Sequence, residues 1–417
     1  MTPSRRQLLT ALTAAGTAST AGCLGQLGGS PGDSRTDSAS SSGAGDGTLQ
    51  IDLGTVCTET DGPIDLSGGR PPTVIDGAQA TPETEYAIDD IPVRDDALYI
   101  GHDRETIVGN QSSGGVGHDG IPSVDEPRFL TAAEAALPAC QRVFGVEING
   151  DVRAYPQRIL VRHEIANDVV GGHPVAVTYC PLTGTAQGFY RGGAEFGVSG
   201  LLVNSNLVMW ERTFDTRWSQ IAATAVEDGQ VIDDEESPFV GRSPREFRLI
   251  WTTWGRWRDR HPETLVMSTD TGFARSYNND PYGSYTPVSG HYALDTGRRP
   301  NFPLLTESDD GAEKQVVLGA RTTDGAIAFD KRTLLEESVL TGSIGSTPVV
   351  AVADGGLATA YVYENPDELE VTTEGDGYAV DGDVAPPGEL PLEPIVAFDA
   401  MWFAWFGFYP DTEGVGI

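Results

Sequence analysis

Along the middle of the chain, short apolar runs alternate with polar positions and are separated by turn pairs. Val143 to Ile148, then Asn149-Gly150, then Asp151 to Tyr155 predicts a β-hairpin, because this turn pair accepts the positive φ of tight hairpin loops. The pattern from Gln157 to Arg162 predicts a short helix. Ile165 to Val170, Gly171-Gly172 and Val175 to Cys180 then predict a second hairpin of β-branched strands. Phe196 to Val203 and Asn206 to Glu211 continue the meander.

The pattern is written twice. Val143, Gly145, Ala154, Arg158, Leu160, Gly171, Pro174, Val175, Thr185 and Ala186 meet Val317, Gly319, Ala328, Arg332, Leu334, Gly345, Pro348, Val349, Thr359 and Ala360 without a gap. Asp324-Gly325 supplies the turn in the second copy, and Trp254-x-x-Trp257-x-x-x-His261 recurs as Trp402-x-x-Trp405-x-x-x-Tyr409. Together these predict an α+β body, mainly antiparallel β, of two tandem related half-domains with pseudo-twofold internal symmetry. The first covers residues 86–290 and carries the candidate site, and the second, shortened, covers 291–417.

Charge changes the picture. With 27 Lys+Arg against 61 Asp+Glu the formal charge is −34, which excludes the basic face that nucleic acids and anionic membranes require. Lys314 and Lys331 are the only lysines, and the acids are spread along the chain. This is a halophilic surface, kept hydrated where salt cuts the Debye length to about 3 Å.

The first residues read as an address. Arg5-Arg6 followed by a small and apolar run suggests a twin-arginine signal over residues 1–22. Thr20-Ala21-Gly22-Cys23 resembles a lipoprotein processing box, so Cys23 is the expected lipidation site, holding the protein on the outer face of the cytoplasmic membrane. Loss of Arg5 and Arg6 would take the charge from −34 to −36. Residues 23–85 read as a Gly/Ser/Asp tether and lead-in, and Asn110 heads a glycosylation sequon. Of the cysteines left after lipidation, Cys57 and Cys140 are the expected disulfide, which leaves Cys180 as a thiol.

Reactive residues found in one copy alone are the better functional candidates, since both copies share what the fold needs. His163 meets Glu337, Cys180 meets Asp354 and His261 meets Tyr409. Cys180, His163 and Glu164 are therefore candidate catalytic groups, and Cys180, His163 and His261 a candidate ligand set for copper or zinc. Asn167, Asp168, Thr183, Thr185, Asn204, Trp218 and Gln220 have the polar and aromatic character of a ligand-pocket lining. Trp251, Trp254 and Trp257 read as packing, since two of them recur in the second copy.

The ordered series Gly145-Val146-Glu147-Ile148-Asn149-Gly150, Ala154-Tyr155-Pro156, Arg158-Ile159-Leu160, His163-Glu164, Asn167-Asp168, Pro174 to Leu182, Gly184-Thr185-Ala186, Phe196 to Leu202, Asn204-Ser205, Trp218-Ser219-Gln220, Thr252-Thr253-Trp254 and His261-Pro262 resembles the exported bacterial and archaeal family called domain of unknown function 3179. The resemblance runs from about Asp119 to the C-terminus and implies an architecture without an activity. Members of that family often carry a second Cys three residues after the first. Here the position is Thr183, so the chain has no dithiol redox pair there.

Three functions are consistent with these residues: a surface lipoprotein binding a metal ion or small ligand in its first half, a thiol-dependent enzyme using Cys180, and a non-catalytic interaction module.

Overall fold

The computed structural model describes residues 64–72, 91–228, 237–278, 280–282, 300 and 302–417. The expected signal, Cys23, most of the tether and Cys57 lie outside the described residues. The described residues all fall in one compact unit. The fold is α+β and mostly antiparallel β, with five short helices among the described residues: α1 (Arg104–Gly109), α2 (Gln157–His163), α3 (Trp254–Arg260), α4 (Lys331–Glu337) and α5 (Trp402–Phe408).

The predicted hairpins form where the turn pairs require. Arg142–Ile148 pairs with Asp151–Pro156 around Asn149 and Gly150, whose φ angles are +51° and +76°. Ile250–Thr253 joins this sheet on one side, while Leu265–Met267 runs parallel to Asp151–Pro156 on the other. A second sheet orders Glu246–Phe247, Thr185–Tyr190, His173–Cys180 and Ile165–Val170. A third carries Phe196–Val203, Asn206–Glu211, Thr216–Ser219 and Thr224–Asp228 as a meander.

Further along, Ala397–Met401, Val316–Arg321, Ala326–Asp330 and Glu413–Val415 form a sheet in that order, the last pair parallel. Val339–Ile344, Thr347–Asp354, Thr359–Glu364 and Glu393–Ile395 form the next.

One hydrophobic cluster holds Phe144, Tyr155 and Trp257 together with Val317, Phe398 and Trp405, so the two expected half-domains share a continuous core. Each tryptophan needs a glycine beneath it. A Cβ on Gly145 would lie 2.3 Å from the Trp257 ring, and one on Gly319 would lie 2.2 Å from Trp405. Gly145→Ala is therefore expected to lower unfolding free energy by roughly 1–3 kcal/mol through overpacking, read from a urea midpoint. An unchanged midpoint would mean that the tryptophan moves freely.

Among the described residues no helix is long and apolar enough to cross a membrane. Asn110 is exposed and caps the end of α1, its amide donating to Thr106 O at 2.8 Å. Cys140 is disulfide-bonded, and Cys180 is a free, buried thiol.

Candidate functional site

Helix α2 ends on two residues that face different neighbours. His163 has no exposed surface. Its Nδ1 lies 2.7 Å from Pro122 O, which can only accept, so Nδ1 carries the hydrogen. Burial lowers the ring's pKa, and neutral Nε2 then accepts from the Tyr277 hydroxyl at 2.7 Å. Tyr277 is in turn 2.7 Å from Thr271 Oγ1, which must donate to it. Thr271 and exposed Phe273 line an open cleft of about 540 Å³ with Glu126, Arg128 and Asp270. A directional hydrogen-bond chain thus runs from that cleft to the buried imidazole.

Glu164 follows in the left-handed region, φ +58°, where a helix more often ends on Gly or Asn. That turn carries its side chain away from the His163 contacts and toward Cys180 and Tyr282. It is 8% exposed. Burial pushes its pKa up to about 8.

Cys180 ends strand His173–Cys180, where the chain turns into Pro181-Leu182-Thr183-Gly184. Its Sγ lies 3.7 Å from Ser205 O, and the Thr183 hydroxyl and the backbone of Thr183 and Leu207 hydrogen-bond the sulfur. Burial first, then the neighbouring Glu164, pushes the thiol up to about 11. Tyr282 completes the group: burial, then Glu164 and Cys180, raises its phenol pKa. Ser205, itself held at φ +64°, has a buried Oγ with no hydrogen-bond partner.

The other residues expected at the site divide by what holds them. Asp168 is bound into an ion network, 2.6 Å from Arg153 Nη1 and 2.5 Å from the Tyr155 hydroxyl. Asn167 spends its amide on Asp125 and on both backbone groups of Phe196. Asn206 donates to Thr183 Oγ1 at 3.0 Å and to Gln220 Oε1 at 2.8 Å, while Gln220 donates to Thr178 Oγ1 at 2.8 Å. Thr185 donates to Thr183 O, and Trp218 packs between Phe196 and Phe239.

Asn204 ties the turn after Phe196–Val203 to two later parts of the chain. Its amide donates to Ala404 O at 3.0 Å and accepts from Leu305 N at 3.0 Å. His261 stacks on Trp257 at 4.2 Å, with Nδ1 3.8 Å from Glu147, and burial lowers its pKa. Cys180, His163 and His261 thus meet three different sets of partners. No group of three or more His, Cys, Asp or Glu is placed to hold a metal ion among the described residues.

Sequence reasoning missed Tyr277 and Tyr282. Tyr282 sits in Asp280-Pro281-Tyr282-Gly283, an ordinary turn composition with no chemical signature.

The arrangement is a buried acid and a buried thiol, close enough to half-buried Tyr282 for both to raise its phenol pKa. It can hydrogen-bond a small polar group; a thiol held this far above neutrality is a poor resting nucleophile. The chain belongs to the family described as protein of unknown function (DUF3179), whose model matches residues 118–412. No curated protein and no solved structure matches it.

Proposed function

We propose that the protein is an exported lipoprotein, anchored through Cys23 on a halophilic cell surface, whose duplicated body binds a small ligand in its first half around Glu164, Cys180 and Tyr282. The observation that carries the reading is the buried Glu164 carboxyl, whose charge raises the pKa of both the Cys180 thiol and the Tyr282 phenol. Burial penalises its charged form, and a bound hydrogen-bond donor would offset that penalty.

Duplication is supported by the order of four strands common to two sheets, in each of which the hairpin's second strand takes a parallel neighbour, with Phe129–Thr131 added beyond it in the first sheet alone, and by the paired contacts Gly145/Trp257 and Gly319/Trp405. Trp257 Nε1 donates to Thr264 and Trp405 Nε1 to Thr412, which occupy equivalent places in the two motifs. A small ligand is favoured over copper or zinc because both nitrogens of His163 are already engaged. It is favoured over a thiol enzyme because the thiol is pushed up to about 11.

The test is alkylation of Cys180, followed by peptide mass spectrometry, in the presence of cationic, neutral or anionic small molecules. The free thiol is expected to react slowly at neutral pH, and one ligand class to slow it further. Rapid alkylation at neutral pH would restore the nucleophile reading. Protection by no class would remove the binding reading.

A further inference from the structure

We propose that the open cleft beside Phe273 is a second binding site, which takes a neutral saccharide stacked on Phe273 and donating hydroxyl hydrogens to Asp270 and Thr271. The site is independent of the reading above, since neither Glu164, Cys180 nor Tyr282 lines this cleft.

The cleft has a suitable size and a fixed wall. Its volume of about 540 Å³ lies within the range of about 300–1,000 Å³ usual for small-molecule sites. The segment 268–273 that forms one wall is pinned where it begins. Ser268 N donates to Arg128 O at 2.7 Å, Ser268 Oγ donates to Leu66 O at 2.6 Å, and Asp270 N donates to Ser268 Oγ at 3.0 Å. Gly68 N donates to Asp270 Oδ2 at 2.9 Å, which orients this carboxylate and uses one of its roughly four lone-pair sites. A wall ordered in advance has little freedom left to lose on binding.

The polarity of Thr271 is set from behind. Its hydrogen is committed to Tyr277, because Tyr277 gives its own to His163 Nε2. Phe273 N donates to the Thr271 oxygen at 3.3 Å, so a single lone pair remains for a ligand. Thr271, Asp270 and exposed Glu126 therefore call for donors, while exposed Arg128 offers donors only. Phe273 is 42% exposed, and no other Phe, Tyr or Trp is exposed among the described residues. Its ring lies 5.4 Å from that of His163, which braces it against the core.

Every simple charged ligand leaves part of this wall unmatched. An anion meets Glu126 and Asp270 on a chain of formal charge −34, and a cation meets Arg128. A zwitterion must set its carboxylate at the one guanidinium of a cleft that has two acids. A saccharide hydroxyl donates and accepts at once, and the C–H face of the sugar ring packs on an aromatic side chain. Such binding also survives molar salt, where charge attraction reaches only about 3 Å.

Saturation-transfer NMR and calorimetry of the full chain with maltose, cellobiose, lactose and trehalose, alongside spermidine and phenylalanine, test the class. At least one disaccharide is expected to bind near one equivalent, with an affinity that molar salt leaves unchanged. Phe273→Ala is expected to weaken that binding roughly tenfold, and Arg128→Gln by a similar factor. Phe273→Trp, which keeps a stacking surface, is expected to retain it. Phe273 and Arg128 are exposed, so these variants should keep the native urea midpoint. The proposal is overturned if no disaccharide binds, or if affinity is unchanged in both Phe273→Ala and Arg128→Gln. Tighter binding of spermidine or phenylalanine than of every disaccharide overturns it as well.

Discussion

Asp168→Ala is expected to lower the free energy of unfolding by roughly 3–5 kcal/mol, the cost of breaking a buried ion pair from one side. Arg153 and Asp168 have side chains only 4% and 5% exposed, so neither can turn to water when its partner goes. Asp151, 2.6 Å from Arg153 Nη2, would remain as a single counter-charge. The Tyr155 hydroxyl would lose its 2.5 Å acceptor. Because the pair is buried, the loss should persist at molar salt, where exposed pairs are screened away. Urea unfolding at low and high salt measures it. A change below about 1 kcal/mol, or one that vanishes in salt, would mean that solvent reaches the network. Since this network, and not the pocket, holds Asp168, protection of Cys180 by a ligand should survive wherever the variant folds.

That outcome bears on how far the sequence could be read. The hairpin about Asn149-Gly150 and the strands Ile165–Val170, Phe196–Val203 and Asn206–Glu211 were legible because alternation and turn chemistry are local. The three-residue strand Leu265–Met267, parallel to its neighbour, was not legible, since so short a run has no period of its own. At the site, Cys180 stands out as a single-copy reactive residue and Glu164 as a carboxylate next to His163, and the charge of Glu164 acts on the thiol. His163 stands out for the same reason but faces Pro122 and Tyr277, because the left-handed turn at Glu164 points consecutive side chains apart. A one-dimensional pattern records neither that turn nor the approach of Tyr282 from a remote loop. Asn167, Asp168, Asn204 and Gln220 have the composition of a pocket wall, yet their polar atoms are spent on fastening backbone and partner strands.

Glu164→Gln is expected to stabilise the free protein, and increasingly so as pH rises. The folded carboxyl titrates at about 8 against an ordinary value of 4.5. Between those limits the unfolded chain has released its proton while the folded chain still holds it, so stability falls as pH climbs through the window. At about 1.36 kcal/mol per tenfold change in proton affinity, the penalty reaches on the order of 4–5 kcal/mol above the upper limit, and it is absent below the lower one. His163, whose pKa is lowered by burial, acts oppositely: its penalty is present at low pH and disappears as pH rises through the ordinary imidazole value. Only the difference between native protein and Glu164→Gln isolates the carboxyl. Glutamine leaves the same shape and a polar head, so the comparison cancels most of the cost of burying a polar group there. Urea midpoints should therefore nearly coincide at pH values near 4.5 and diverge toward 8, with the variant the more stable. Parallel pH profiles would mean that water or another group already satisfies Glu164. A residue that weakens the free protein while facing a thiol and a phenol fits a site held in strain for its ligand.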